Sequence, residues 1–170
     1  MATVTANQNA LQPATGGFAG NVKAAFGVYT YATAPSANDL INLFVLPKNS
    51  LVIGGHLMTD DIDTGTEALE IDIGFTANGG ASTDGPRTND GTLWQNAASS
   101  ASATAFVDSG VLTGDAITDL MKAGVNFRPF QLATGPKFLS EETQVQAKIT
   151  AAANAGGTGT VYVVAYYVMV

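Results

Sequence analysis

The residues best placed to do chemistry are the acidic run Asp60-Asp61-Ile62-Asp63-Thr64-Gly65, whose carboxylates before a glycine resemble the start of an oxygen-rich calcium loop. The full loop pattern also needs a Glu at its twelfth position, and neither Asp60 nor Asp61 as starting point supplies it. Asp60, Asp61 and Asp63 therefore stand as candidates for a weaker surface calcium site, against a solvated turn in which Asp side chains bond their own backbone. His56 is the single histidine and sits between Gly55 and Leu57 inside a strand pattern, so it reads as structural and offers no His-rich metal site. A carboxylate pair for glycoside hydrolysis would come from these acids with Glu67, Glu70 and Asp72, but no feature selects two of them. There is no G-x-S-x-G elbow, no phosphate-binding loop and no dinucleotide fingerprint. With no cysteine there is no thiolate nucleophile, zinc knuckle or disulfide framework, and the redox compartment is undetermined. The expectation is a non-enzymatic protein without a cofactor.

The aromatic residues offer a different chemistry. Trp94, Tyr29, Tyr31, Tyr162, Tyr166 and Tyr167 could form a platform for sugar rings, possible only if the fold exposes them. Tyr162 and Tyr166 share a strand face with Val164, which favours core or subunit packing for both. Trp94 lies in the polar stretch 77–100 and is the better candidate for a contact residue, its alternative role being to pin that stretch to the body.

The elements that must position these residues are strands. NVKAAFGVYTY alternates with period two, and DLINLFVL is apolar at nearly every position and ends at Pro47. Lys48-Asn49 turns the chain into SLVIGGHLM, where Gly54-Gly55 predicts a bulge or bend. TEALEIDIGF places Leu69, Ile71, Ile73 and Phe75 on a core face and Ala68, Glu70 and Asp72 on a wet one. Residues 101–108 form a candidate strand, TQVQAKIT alternates again, and TVYVVAYYVMV closes the chain as a strand apolar on both faces. The one helix expected covers 113–124, with a capping residue, Ile117, Leu120 and Met121 on one stripe, and a terminal Lys-x-Gly. Many strands and one short helix predict an all-β sandwich or barrel, and no internal repeat points to a solenoid or propeller.

Composition narrows the function. The chain has 170 residues, 46% hydrophobic and 12% charged, with a net charge of −7. One domain over 21–170 is expected, preceded by an extended arm over 1–20 that carries no charge. Seven scattered cations make no basic stripe, so nucleic acid is an unsuited partner. The longest apolar run, 161–170, is too short for a membrane helix, and 1–20 lacks the regions of a signal peptide. A sandwich strand that is apolar on both faces needs a second neighbour beyond its own core. That argument nominates Leu40, Leu43, Phe44, Val161, Tyr162, Tyr166 and Tyr167 as interface residues. The uncharged arm has no evident partner within the chain, and folding onto a neighbouring chain would order it.

GNVKAAFGVYTYATAPSANDLINLFVLPKNSLVIGGHLMTDDIDTGTEALEIDIGF over 20–76, with TQVQAKITAAANAGGTGTVYVVAYYVMV over 143–170, resembles small structural proteins of tailed-phage virions. The resemblance covers about half the chain and implies a head decoration or cement protein with a jelly-roll-type sandwich, often trimeric. It implies sister subunits and the major capsid protein as partners, no membrane, synthesis in the host cytoplasm, and a final location on the outer surface of the phage head. The alternative is a sandwich module that binds glycans on a host surface through Trp94 and 77–100, with calcium at Asp60 to Asp63.

Overall fold

The alternating segments form ten strands in a computed structural model, which describes residues 3–5, 21–60, 62–63, 68–87, 93–108, 126–132, 134–155 and 158–170, at 3–5 and 126–128 as backbone only. In chain order these are β1 (Thr3–Thr5), β2 (Lys23–Tyr31), β3 (Leu40–Leu46), β4 (Ser50–Thr59) and β5 (Glu70–Phe75). They continue as β6 (Ser102–Val107), β7 (Asn126–Pro129), β8 (Lys137–Leu139), β9 (Thr143–Ala151) and β10 (Gly159–Met169). No helix occurs among the described residues, and the helix expected over 113–124 lies outside them. Asn38 (φ 69°) and Asn49 (φ 60°) take the left-handed conformation in the turns that launch β3 and β4.

Two sheets hold these strands. Sheet A runs β1-β3-β9-β5-β6, and sheet B runs β2-β10-β4-β7 with β8 also pairing β4. Among the described residues every pairing between these strands is antiparallel except β1 against β3. Period-two alternation turns one face of each sheet toward the other, so Ile71, Ile73, Val145, Ala147 and Ile149 of sheet A share one core with Leu57, Val161, Val163, Ala165 and Tyr167 of sheet B. The sheets approach closely at Gly27 in β2, where an added Cβ would lie 2.8 Å from the carbonyl oxygen of Leu43 in β3. Only glycine fits there.

At the other side of the sandwich Phe106 stacks on Phe130 (centroids 4.7 Å apart) and meets Phe75 edge-on at 5.5 Å. Gly55 makes room for this stack, since a Cβ there would fall 2.4 Å from the Phe130 ring. β7 and β8 pair with opposite ends of β4 and leave a gap in that edge. Within the gap the Phe130 N–H donates to the Gly55 carbonyl (3.0 Å) and the Gln131 N–H donates across to Phe106 of sheet A (2.6 Å). The chain thereby ties the two sheets together along one edge.

Two bulges change what alternation alone predicts. In β3 the register shifts between Asn42 and Phe44, so consecutive residues Leu43 and Phe44 both turn inward and are 0% and 1% exposed. In β4 the shift falls opposite Tyr166 and Tyr167, leaving Ile53 unpaired and 39% exposed, one residue before the Gly54-Gly55 pair. The stretch 77–100 is irregular where described, but it is fastened. Asn78 and Asn96 exchange side-chain amide hydrogen bonds of 3.1 and 2.9 Å, and Asn78 also donates to Thr143 Oγ1 at 3.1 Å. Asn96 Oδ1 also accepts the backbone N–H of Ala98 at 3.1 Å.

Candidate functional site

The two outer faces of the sandwich differ in kind. On sheet A the register places Asn42, Gln144, Gln146 and Lys148 outward, and the amides bond to one another and to the backbone. Gln146 Nε2 donates to Asn42 Oδ1 and Gln144 Nε2 donates to the Phe44 carbonyl at 2.9 Å. Asp72, expected on a wet face, is 4% exposed and stands opposite Lys148 in register, so the carboxylate is shielded instead of free in solvent. This face is polar and satisfied.

Sheet B presents the opposite. β10 alternates cleanly, sending Val161, Val163, Ala165 and Tyr167 into the core and Tyr162, Val164 and Tyr166 outward. Across the strand, Phe26 and Val28 of β2 stand beside Val164 and Tyr162, and Met58 and His56 of β4 stand beside them on the other flank. Gly54, opposite Tyr166, leaves its ring open to solvent, and the His56 ring lies 5.7 Å from it. Tyr162 and Tyr166 are each 37% exposed, while Val22 just before β2 is 61% exposed. None of the described residues that the register places on this face is Asp, Glu, Lys or Arg. Partial burial lowers the His56 pKa from its ordinary value, which favours the neutral ring at pH 7.

The interface residues nominated from the sequence therefore separate. Tyr162 and Tyr166 lie on the open face of sheet B, and Leu40 is half-buried on the outer side of β3. Leu43, Phe44, Val161 and Tyr167 are buried in the chain's own core, because a bulge in β3 and the pleat of β10 turn them inward. β3 is thus not apolar on both faces, and β10 is. Sequence reading missed Phe26, Val28 and Met58, whose only signal was their alternate spacing in neighbouring strands, and Ile53, which the bulge in β4 exposes.

The acidic run is likewise divided. Asp61 lies outside the described residues. Asp60 is exposed and its Oδ2 accepts the Thr160 N–H at 2.8 Å, clamping the start of β10. Asp63 is 0% exposed and accepts the N–H groups of Ala68 (2.7 Å), Leu69 (3.2 Å), Asn154 (3.0 Å) and Ala155 (3.0 Å). Burial alone would raise its pKa, but the amides of Ala155, Ala68, Asn154 and Leu69 outweigh it and hold the carboxyl at about 2. Those four donors, drawn from two loops, turn positive hydrogen toward the carboxylate where a cation would have to bind. The described members of the run join loops.

Trp94 is half-buried, its N–H donates to the Pro86 carbonyl at 3.0 Å, and its own carbonyl crowds Gly85. Arg87 and Leu93 form an antiparallel bridge beside it. Where this stretch meets the body, a cleft of about 430 Å³ opens between Asp84, Phe138 and Glu141, with a Lys48–Glu141 ion pair of 2.7 Å at its wall. Among its described lining residues, Lys48 is engaged by Glu141 and the Ser140 hydroxyl has no hydrogen-bond partner.

No protein-family model matches the chain, and no curated protein matches it. Solved structures do. A chain in the capsid of Ralstonia phage GP4 is 21% identical, with a TM-score of 0.67 over 99% of both chains. One in the capsid asymmetric unit of cyanophage Pam1 is 21% identical, with a TM-score of 0.65 over 96% of this chain and 95% of that one. A third, in the acid-stable capsid of Helicobacter pylori bacteriophage KHP30, is 15% identical, with a TM-score of 0.51 over 89% and 90%. At these identities the shared property is the fold, which spans nearly the whole chain.

Proposed function

We propose that the chain is a non-enzymatic structural protein of a phage virion, which binds the outer surface of the capsid shell as a decoration or cement protein and acts as a homo-oligomer, a trimer in the family it resembles. The observation that carries this reading is the uncharged, apolar outer face of sheet B in a fold shared, nearly end to end, with chains of three phage capsids. The strand orders support a jelly roll: β2-β10-β4-β7 and β3-β9-β5-β6 interleave the chain as two Greek keys do.

The mechanism is burial of area. The face measures roughly 35 Å along β10 and about 10 Å across three strands, so it offers about 350 Å². That is below the approximately 800 Å² per partner of a stable pairwise interface. Repetition over a symmetric shell makes weak contacts sufficient. The glycan reading gains less, because Trp94 is half-buried and Asp63 is saturated by amides.

Tyr162→Lys combined with Tyr166→Lys tests the proposal, since both side chains leave the core untouched. Cosedimentation with shells stripped of this protein should fall at least tenfold while the circular dichroism spectrum is unchanged. Unaltered cosedimentation by the folded variant would overturn it.

A further inference from the structure

We propose that the outer edge of β2 receives an extended segment of the capsid shell protein as an added strand, an inference that deepens the virion reading and rests on it. Edge strands carry unpaired backbone groups, and folded proteins keep them short, irregular or covered. Among the described residues the other edges of this sandwich follow that rule. β3 is covered by β1, the far side of β4 ends in β7 and β8, which are four and three residues long, and β6 meets β5 with a shift in register. β2 departs from it. Nine residues pair with β10 in an unbroken register, with no proline among them and a single charge, Lys23, at the end.

The start of β10 fixes which way the backbone of β2 points. The Thr160 carbonyl accepts the Asp60 N–H at 2.9 Å and the Thr160 N–H donates to Asp60 Oδ2 at 2.8 Å, so both groups turn toward β4 and away from β2. In an antiparallel pair each residue sends its N–H and C=O the same way, and the sense alternates along the strand. Thr160 stands opposite Thr30, so Thr30, Val28, Phe26 and Ala24 direct their N–H and C=O groups out of the edge. No described residue makes a backbone hydrogen bond to any of the four on that side. Another extended backbone is what matches donors and acceptors at that spacing.

The two sheets also leave a place for it. β2 lies across from β3 through the contact of Gly27 with Leu43, and at the opposite edge Gln131 ties β6 to the β7 side. Sheet A carries β1 beyond β3, so sheet B stops one strand short, and a strand laid on β2 comes opposite β1. The shell is the source that the surroundings favour. Phe26 and Val28 belong to the apolar face that the virion reading turns toward the capsid, so a partner seated there meets this edge along its length. From Ala24 to Thr30 is about 20 Å, room for a segment of about seven residues whose uncharged side chains continue the face.

Val28→Pro tests the edge, because it removes an outward N–H and spares the bonds of β2 to β10, the kind of edge position where a strand tolerates proline. Val28→Ala keeps the N–H and controls for the altered side chain. In cosedimentation with shells stripped of this protein, Val28→Pro should bind about tenfold less than Val28→Ala. Hydrogen exchange on the parent protein makes the test independent of how the variants fold. In the isolated chain the amides of Ala24, Phe26, Val28 and Thr30 should exchange about tenfold or more faster than those of Ala25, Gly27 and Tyr29, and shell binding should slow the first set to match the second. Equal binding by the two folded variants, or shell binding without added protection in β2, would overturn the inference and leave the virion reading standing. Slow exchange of the four amides in the isolated protein, from two copies pairing at doubled mass or from cover by the chain itself, would overturn it without shells. Failure of the parent protein to bind shells at all would overturn both.

Discussion

At the scale of single residues, Asp63 is the most informative position. Its folded pKa of about 2 lies below the ordinary 3.8, so its contribution to stability is complete above about pH 4 and is lost as pH falls toward 2. The neighbours Ala68 and Asn154 are exposed, so solvent lies close and the coupling is worth only about 1 to 2 kcal/mol. Asp63→Asn should lower the urea midpoint at pH 7, and the gap from the parent protein should close as the titration approaches pH 2. A gap independent of pH would assign the loss to packing. The sequence offered this residue either as part of a weak calcium site or as a turn Asp bonded to backbone, and the bonds it makes are to backbone N–H groups. Two of its donors, Asn154 and Ala155, come from a loop that follows β9, and no local pattern around the acidic run reports them.

Among the elements, β9 and β10 were legible because strict alternation survives in them, and in β5 the core-facing half of the pattern held although Asp72 on the other side is buried too. Leu69, Ile71, Ile73 and Phe75, then Val145, Ala147 and Ile149, are all buried as their spacing predicts. β3 was not legible in the same way, since its bulge lets Leu43 and Phe44 share one face and makes an ordinary half-buried strand look apolar on both sides. Resolving that ambiguity required its partner β9. The stretch 77–100 looked like a long loop, and its anchors are two asparagines eighteen residues apart in sequence whose reciprocal pairing composition cannot reveal. Asn96→Ala removes this pairing and the acceptor for Ala98, leaving buried groups unsatisfied at a cost of about 1 to 3 kcal/mol. Limited proteolysis should then cut between Asn78 and Asn96 before the rest of the chain, whereas the parent protein resists. Equal cleavage rates would show that the amide pair does not govern this stretch.

For the whole molecule, the asymmetry between a polar and an apolar outer face predicts how binding answers to salt. The chain is acidic, so screening lowers long-range repulsion between copies, and the described residues that the register places on the face include no Asp, Glu, Lys or Arg. Shell binding measured from 50 to 500 mM NaCl should hold steady or strengthen, and a decline by more than tenfold would point to a charged contact elsewhere. The overall all-β architecture was legible from strand count and spacing, but which face remains open depends on the pairing of β2, β10 and β4, which lie far apart in the chain. If sheet B is turned toward a shell, the glutamines of β9 become the part of the coat that the medium touches. Their carboxamides are already engaged with Asn42 and the backbone of β3, so a passing enzyme, antibody or receptor would find few loose groups to grip, and the armour would be quiet as well as strong.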